Sequence, residues 1–240
     1  MKRLRVGGPI AVLFVMIILV ETLNLATATT SPTMSSVTIA NHQTSLTLAS
    51  GGQMYIFALA SGGGKTGFFT NSLSYIQSPW SVVNANGNLA AAVAITTSDT
   101  NSFTTSASTY TIAGASVSGF GPIPKVGRTT PILYPSINAA PGANGATALP
   151  YVNPAWPGSL VVVVAIAGGE QCISSITGLP GLVIDASNSN SGSPAIVIGH
   201  AYISSGQYQV TEVTSQCGTG QTPNNGADLI ETFIFLPSNI

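Results

Sequence analysis

Side chains able to do acid, base or metal chemistry are scarce in this sequence, which has two histidines, two cysteines, six basic and seven acidic residues. A Ser/His/Asp triad would need His200, Asp185 and one of many serines, and no Gly-x-Ser-x-Gly turn selects that serine. Metal sites usually draw on three or four side chains, and no such group is apparent. We therefore predict no catalytic residue, no metal site and no cofactor. We interpret His200 as a partly buried, hydrogen-bonded residue of a strand.

Two carboxylates and a glycine-rich loop suggest chemistry, but each has a simpler interpretation. Glu212 and Glu231 fall in the last two predicted strands, where a pair with split pKa values would suit an acid hydrolase. Carboxylates on adjacent strands are more often solvent-facing or hydrogen-bonded structural groups. Residues 62–66 (GGGKT) resemble a phosphate-binding loop, yet that motif requires a glycine where Leu59 stands and a helix afterwards. We interpret this loop as a flexible hairpin.

The first 28 residues have the three parts of a secretory signal peptide. Three basic residues precede an apolar run at residues 9–20, and a small-residue site that ends at Ala28 follows. The run is too short to span about 30 Å of hydrocarbon. We predict cleavage after Ala28 and a secreted or cell-surface protein, with membrane contact only through the leader before cleavage. A retained membrane helix and a pilin-type leader cut after Gly8 are the alternatives.

The remainder of the chain is nearly uncharged. Charged residues make up 5% of the sequence, against about a quarter in an average globular domain. Once the leader is removed, three basic and six acidic residues remain, a net charge of −3. Because such a chain has no basic face for phosphates, we predict that nucleic acid is not a partner. In a secreted chain, the two cysteines, Cys172 and Cys217, are expected to form one disulfide.

Two apolar runs organise the chain, residues 160–167 (LVVVVAIA) and a weaker run at residues 54–60. Each is closed by glycines and has the length of a strand buried on both faces. When Ala58 is aligned with Ala165, residues 77–84 match 178–185 and residues 89–95 match 194–200. The pattern predicts an all-β fold of two tandem β-sandwich, jelly-roll-like units that arose by internal duplication and follow the signal peptide. The units either form separate sandwiches or share one core.

The predicted domains are a signal peptide (1–28), a first β-sandwich unit with an N-terminal arm (29–121), a linker rich in Pro, Gly and Ala (122–158) and a second unit with the disulfide (159–240). We expect the linker to be an extended connection, because eight prolines interrupt it. The predicted strands cover residues 37–40, 45–48, 54–60, 73–77, 80–84, 89–97, 103–106 and 109–117, then 160–167, 172–176, 182–186, 195–203, 208–213 and 229–236.

A polar arm at residues 29–36 leads into a short apolar strand, Val37, Thr38, Ile39 and Ala40. An extended segment of this kind can complete the sheet of another subunit through main-chain hydrogen bonds. Over residues 1 to about 120, the leader, this arm and the β-rich body resemble secreted archaeal filament subunits of the thread and bundling-pilus type. The resemblance implies that residues 37–40 are a donor strand and that the protein self-associates. The chain differs from that family in its second unit and in having no N-glycosylation sequon.

The sequence thus predicts an extracellular structural or adhesive protein and not an enzyme, in the specific form of a filament or surface-layer subunit that assembles by strand donation. The alternative is a secreted module that binds carbohydrate or peptide, or a hydrolase, which would need a concave site with convergent aromatic or acidic groups. A virion surface protein is a further alternative. The aromatic candidates, which we expect to pack in the core or along the linker instead, are Tyr75, Trp80, Tyr110, Tyr151 and Trp156.

Overall fold

The structure is a computed structural model that describes residues 30–61, 80–83, 89–97, 101–105, 110–121, 132–138, 146–148, 157–167, 171–188, 195–204, 206–216 and 228–238. These residues form antiparallel strands and no helix, which confirms the predicted all-β class. In this part of the chain no helix is long and apolar enough to cross a membrane. The predicted leader, residues 1–28, lies outside the described residues.

Fifteen strands are described. In the first unit they are β1 (Thr33–Asn41), β2 (Ser45–Thr47), β3 (Met54–Ser61), β4 (Trp80–Val83), β5 (Leu89–Thr97), β6 (Ser102–Thr104) and β7 (Tyr110–Ser118). The others are β8 (Ile132–Asn138), β9 (Ala146–Ala148), β10 (Ser159–Ala167), β11 (Gln171–Thr177), β12 (Val183–Asn188), β13 (Ala195–Ile203), β14 (Thr211–Gln216) and β15 (Asp228–Phe235).

Four sheets contain these strands. A first large sheet has the order β1-β7-β3-β5-β4, and a second large sheet has the order β12-β13-β10-β15-β8. Two small sheets are formed by β2-β6 and by β11-β14-β9. The two large sheets correspond strand by strand: β1, β7, β3, β5 and β4 occupy the positions of β8, β15, β10, β13 and β12. This correspondence agrees with the sequence alignment of Ala58 with Ala165, because these residues lie in β3 and β10.

The strands at the centre of the large sheets are buried on both faces, as their continuous apolar sequences predicted. All nine residues of β10 are buried. Because successive side chains of a strand point to opposite faces, Leu160, Val162, Val164 and Ile166 enter one core, while Val161 and Val163 enter another. A run without polar alternation is therefore the expected sequence of a strand with a sheet on each side.

The two units share a core. The large sheets pack face to face, and their facing side chains form one central core that contains residues of both units, among them Ile56, Val117, Val164 and Phe233. The small sheets cover the outer faces. Around Phe57 and Phe103, whose rings are 4.8 Å apart, lies a first outer core, and a second outer core surrounds Val163 and Ile234. Burial of the central face therefore requires both halves of the chain.

The proline-rich segment contributes two strands that the sequence analysis did not predict. Residues 122–158 contain β8, which pairs with β15, and β9, which pairs with β14. The Pro135 of β8 lies opposite Glu231, at the edge of the second large sheet. A proline is tolerated there because an edge strand has a side without ladder hydrogen bonds. The strands of the second unit therefore begin before residue 159.

Most other strand predictions are confirmed. The predicted bounds of β5 and β13 coincide with the observed ones, while the bounds of β14 lie three residues further along the chain than predicted. The polar arm was expected to be separate from the first strand, but β1 begins at Thr33 and includes four of its residues. The predicted strand at residues 73–77 lies outside the described residues.

Candidate functional site: the edge formed by β1 and the second unit

The candidate donor residues Val37, Thr38, Ile39 and Ala40 lie in β1, at one edge of the first large sheet. In the single chain β1 pairs with its own β7, and Ile39 lies opposite Ala113. Each β1 residue is either exposed or half-buried, and none is fully buried. The strand is therefore held less completely by side-chain packing than the central strands.

A bulge adapts β1 to the central core. The register with β7 shifts between Ser35 and Thr38, so Ser36 and Val37 lie opposite a single β7 residue. Ser36 has a φ of 52°, in the left-handed region that residues with a Cβ rarely adopt. Met34, Val37 and Ile39 all pack against the central core, although a regular strand would place Met34 and Val37 on opposite faces. The extra residue brings these side chains to one face.

Of the four described edge strands of the large sheets, β1 is the longest and carries neither a charge nor a proline. Natural edge strands usually carry a charge, a proline or a strong bulge, or are very short. The edge strand β12 carries Asp185 at a register shift, β8 carries Pro135, and β4 has four residues and a register shift. The nine residues of β1 contain a bulge but neither a charge nor a proline.

The second unit holds the N-terminal end of β1. The Tyr202 hydroxyl donates to the carbonyl oxygen of Pro32 at 3.0 Å, and the Ser238 amide donates to the carbonyl oxygen of Thr30 at 3.1 Å. The Thr30 amide in turn donates to the Ser238 hydroxyl at 3.2 Å. Gly119, with a φ of 79°, lies so close to this arm that a Cβ there would be 2.7 Å from the Ser31 carbonyl oxygen. The arm is thus ordered by contacts with residues that are distant in the sequence.

The second unit also holds the C-terminal end of β1. The Asn188 side-chain amide donates to Asn41 Oδ1 at 2.8 Å and to Thr111 Oγ1 of β7 at 3.4 Å. Asn188 is buried at this position, where β12 crosses β1. A buried amide must be hydrogen-bonded to offset its desolvation, so Asn188 favours the arrangement in which Asn41 lies beside it.

Beside this edge, Asp185 and His200 form a pair on β12 and β13. His200 Nδ1 lies 2.7 Å from Asp185 Oδ2, and both side chains are about one-fifth exposed. The Tyr202 ring makes an edge contact with the imidazole, with ring centroids 5.6 Å apart. The prediction that His200 is partly buried and hydrogen-bonded is confirmed. Asp185 and His200 are also two members of the triad considered above, but no described hydroxyl group hydrogen bonds to His200.

The other candidate carboxylates belong to strands of different sheets. Glu212 lies in β14 and Glu231 in β15, and these strands belong to different sheets. The idea that the two carboxylates lie on adjacent strands is therefore wrong. Glu231 is fully buried, and neither of its carboxylate oxygens has a hydrogen-bond partner. Burial raises its pKa from 4.5 to about 9 because the charged form loses its hydration. It is a neutral acid at neutral pH.

The position of Glu231 explains its high pKa. Strand alternation places it on the same face of β15 as Leu229 and Phe233, which belong to the central core. The strands packed around it are β10 and β8 in its own sheet and β4 and β5 across the core, and none of the four contains a charged residue. The only other titratable side chain on them is Tyr134 of β8.

Two further predictions concern residues at the margin of the described part of the chain. Cys172 carries no free thiol, since it is disulfide-bonded. Cys217 lies outside the described residues, so the Cys172–Cys217 pairing stays a prediction. The glycine-rich loop at 62–66 also lies outside the described residues. Among the residues described, no group of three or more His, Cys, Asp or Glu side chains could hold a metal ion.

Sequence reasoning did not identify the residues that contact β1 from the second unit. Asn188 lies beyond the strand that was predicted at residues 182–186, although it ends β12 and is buried. Tyr202 and Ser238 carry no pattern that distinguishes them from other polar residues. Comparisons of the chain with protein-family models, with curated proteins and with solved structures found no match.

Proposed function

We propose that this protein is a secreted structural or adhesive protein, the subunit of a filament or surface layer in which β1 of one copy pairs with β7 of the next. The observation that carries the proposal is the state of β1, which is a nine-residue edge strand without a charge, a proline or a fully buried side chain. Such a strand can form main-chain hydrogen bonds with another chain on either side of its bulge.

Exchange of β1 between copies needs little net free energy. A copy that receives β1 from a neighbour recovers the pairing with β7 and the packing of Met34, Val37 and Ile39 that its own strand otherwise provides. Domain swapping is favourable for this reason whenever the hinge can open. The turn after β1 has His42 at a φ of 57°, so the chain already changes direction there. If each copy donates to the next, the chain of contacts is open and forms a filament.

The strand order supports the finer prediction of jelly-roll units. A jelly roll has eight strands in two sheets, and the first strand pairs with the last. The strands β8 to β15 number eight, and the first, β8, lies beside the last, β15. One sheet contains the order β8-β15-β10-β13, and the other has the order β9-β14-β11. The departure is β12, which pairs with β13 in the large sheet. The first unit repeats this order, which is the support for a duplication.

The composition supports an extracellular location. Few charged groups, a predicted leader and a surface of Ser, Thr, Asn and Gly suit a protein that is exposed outside the cell. The disulfide at Cys172 is of the kind that persists outside the cell.

A hydrolase is the second candidate, and the contact between Asp185 and His200 favours it. In a hydrolytic triad an aspartate holds one imidazole nitrogen so that the other can accept a proton. The two residues have that relation through Nδ1. The nucleophile is the missing member, since no described hydroxyl reaches His200.

The first test compares the mature chain, residues 29–240, with a chain that lacks residues 29–44, by negative-stain electron microscopy and light scattering. We expect filaments or oligomers from the first chain and none from the second. Because the shortened chain can also fail by misfolding, a second measurement uses full-length mature chains. Chains with Ile39→Cys are mixed with chains with Ala113→Cys, unfolded, refolded together and oxidised.

Strand donation predicts a disulfide between two different chains, because Ile39 of the donor lies opposite Ala113 of the acceptor. A single chain with both substitutions reports whether the geometry permits the bond. The matched negative control pairs Ile39→Cys with Ser204→Cys, since Ser204 is exposed and lies in the second unit. Monomers without a cross-chain disulfide would contradict strand donation, and loss of ester or peptide hydrolysis on His200→Ala would then support the second candidate.

A further inference from the structure

Residues 30–41, which include β1, occupy a slot beside β7, and both units contribute walls to this slot. One wall is β7 itself, which pairs with β1. The other consists of β12 and β13 of the second unit, which face β1 across the central core. Two residues of that wall, Asn188 and Tyr202, form hydrogen bonds with the segment that fills the slot, and so does Ser238, which follows β15.

These contacts lie at the two ends of the segment. Tyr202 binds the carbonyl group of Pro32, and Asn188 binds the side chain of Asn41 nine residues later. Tyr202 and Asn188 belong to β13 and β12, which pair with each other, so the separation of the two contact points is set by the acceptor. Only a segment with the right number of residues between the two ends, including the bulge at Ser36, reaches both.

We infer that the second unit of the acceptor copy fixes the register of the donated strand, with residues 30–41 of a second copy as the occupant, held by Tyr202 at one end and Asn188 at the other. This inference rests on the proposed strand donation. Pairing with β7 alone allows a slip by two residues, which keeps every side chain on its own face. A slip of that size removes Asn41 from Asn188 and leaves the buried amide with one partner fewer. The contact between Asn188 and Asn41 therefore discriminates between registers that the backbone ladder alone tolerates.

The identity of the residues at the ends fits this role. Asn188 is buried and offers an amide group that can bond to both β7 and the donor. Tyr202 is half exposed, yet its hydroxyl reaches a main-chain carbonyl group, which any donor residue at that place would present. The contact with Asn188 therefore depends on which donor residue lies beside it, and Asn41 is that residue. The contact with Tyr202 holds the donor backbone without selecting a particular side chain.

The test measures register by disulfide trapping between copies. The donor carries Ile39→Cys, and the acceptor carries either Ala113→Cys, for the observed register, or Ala115→Cys, for a slip by two residues on the same face. Tyr202→Phe and Asn188→Ala are then introduced together into the acceptor chain only. In the matched control the same two substitutions are placed in the donor chain only. The disulfide does not report which strand fills the slot of the donor, so these substitutions should not affect it.

We expect the ratio of the Ala113→Cys link to the Ala115→Cys link to fall about fivefold, because the hydrogen bond from Asn188 to Asn41 is made only in the observed register. The same substitutions in the donor should leave the ratio unchanged. Cooperative thermal unfolding of each variant checks that it is folded. An unchanged ratio in both arrangements, with cross-chain links still formed, would overturn this inference and leave strand donation standing. No cross-chain link between chains with the wild-type Tyr202 and Asn188 would overturn both.

Discussion

Strands β1 and β10 have the same length and opposite surroundings. Every residue of β10 is buried, whereas no residue of β1 is. The central strand β10 pairs with β13 and β15 and is covered on both faces. The edge strand β1 pairs with β7 alone. In β10 apolar burial holds the strand, while β1 combines its pairing with β7 and partial apolar packing with polar contacts at its ends, to Tyr202 and Asn188.

The difference bears on the proposed strand donation, which requires a chain that stays folded while one strand is exchanged. Apolar burial contributes about 25 cal/mol per Å² removed from water, so the free energy is concentrated at the centre, in the strands that surround β10. A segment at the edge covers only the margin of that centre, through Met34, Val37 and Ile39. Function by strand donation requires such a division, and the following predictions test it from the largest expected effect to the smallest.

The largest effect concerns Glu231, which lies opposite Val164 of β10. The folded protein keeps this acid protonated up to its pKa of about 9, whereas the unfolded chain ionises it above 4.5. Between these pH values the unfolded state binds fewer protons, so the free energy of unfolding falls as the pH rises. The slope is about 1.4 kcal/mol per pH unit, or about 6 kcal/mol in all. Stability is greatest below about pH 4.5.

Urea unfolding at a series of pH values measures this dependence, and Glu231→Gln is the matched control because it keeps the shape without titrating. We expect the variant to have a nearly flat profile over the same range and to be the more stable protein at pH 9. Parallel profiles for the two proteins would mean that Glu231 is hydrated in the folded state. The strands around β10 would then not exclude water from the central core.

The next effect compares the same substitution at the centre and at the edge. Ile166→Ala in β10 removes a fully buried side chain from the central core, and Ile39→Ala in β1 removes a half-buried one from the same core. We expect losses of about 2–4 kcal/mol and about 1 kcal/mol, because cavity formation adds to the loss of transfer free energy only where the site cannot collapse. Equal shifts in the urea midpoint would contradict the division between centre and edge.

The smallest effect concerns the bulge of β1. Ser36→Gly should stabilise the protein by about 0.5–1 kcal/mol, since a φ of 52° strains a residue with a Cβ and does not strain glycine. Thr38→Gly is the matched control, because Thr38 is exposed in the same strand and has no positive φ. We expect this substitution to lower the free energy of unfolding by a similar amount. Thermal unfolding measures both. Destabilisation by Ser36→Gly would mean that the bulge is not a point of strain.

Much of the strand pattern could be predicted from the sequence. Strands β5, β10 and β13 were predicted within a residue of their observed bounds, because apolar runs bounded by Gly, Pro and Asn are signals contained in neighbouring residues. The alignment of Ala58 with Ala165 anticipated the shared order of the large sheets. Strand β8 was missed because Pro135 indicates a loop unless the strand is known to lie at an edge.

The candidate site was predicted less well. The residues of β1 were identified because a short apolar strand follows a polar arm, which is a local pattern. Their contacts with Tyr202, Asn188 and Ser238 join residues 147 to 208 positions apart, and no spacing rule covers such a separation. The pair of Asp185 and His200 was named in the sequence analysis only as part of a possible triad. Its 2.7 Å contact depends on the register of β12 against β13.

The sequence by itself determined that the chain is all-β and which segments are strands, because backbone preference and the alternation of apolar side chains act over a few residues. Only the tertiary structure decided that the two units share a central core, that β1 lies at the edge of a sheet and that Glu231 is enclosed without a partner. The order of strands in a sheet and the packing of one sheet on another depend on which distant strands bury the most apolar surface together. That depends on the whole chain and not on neighbouring residues.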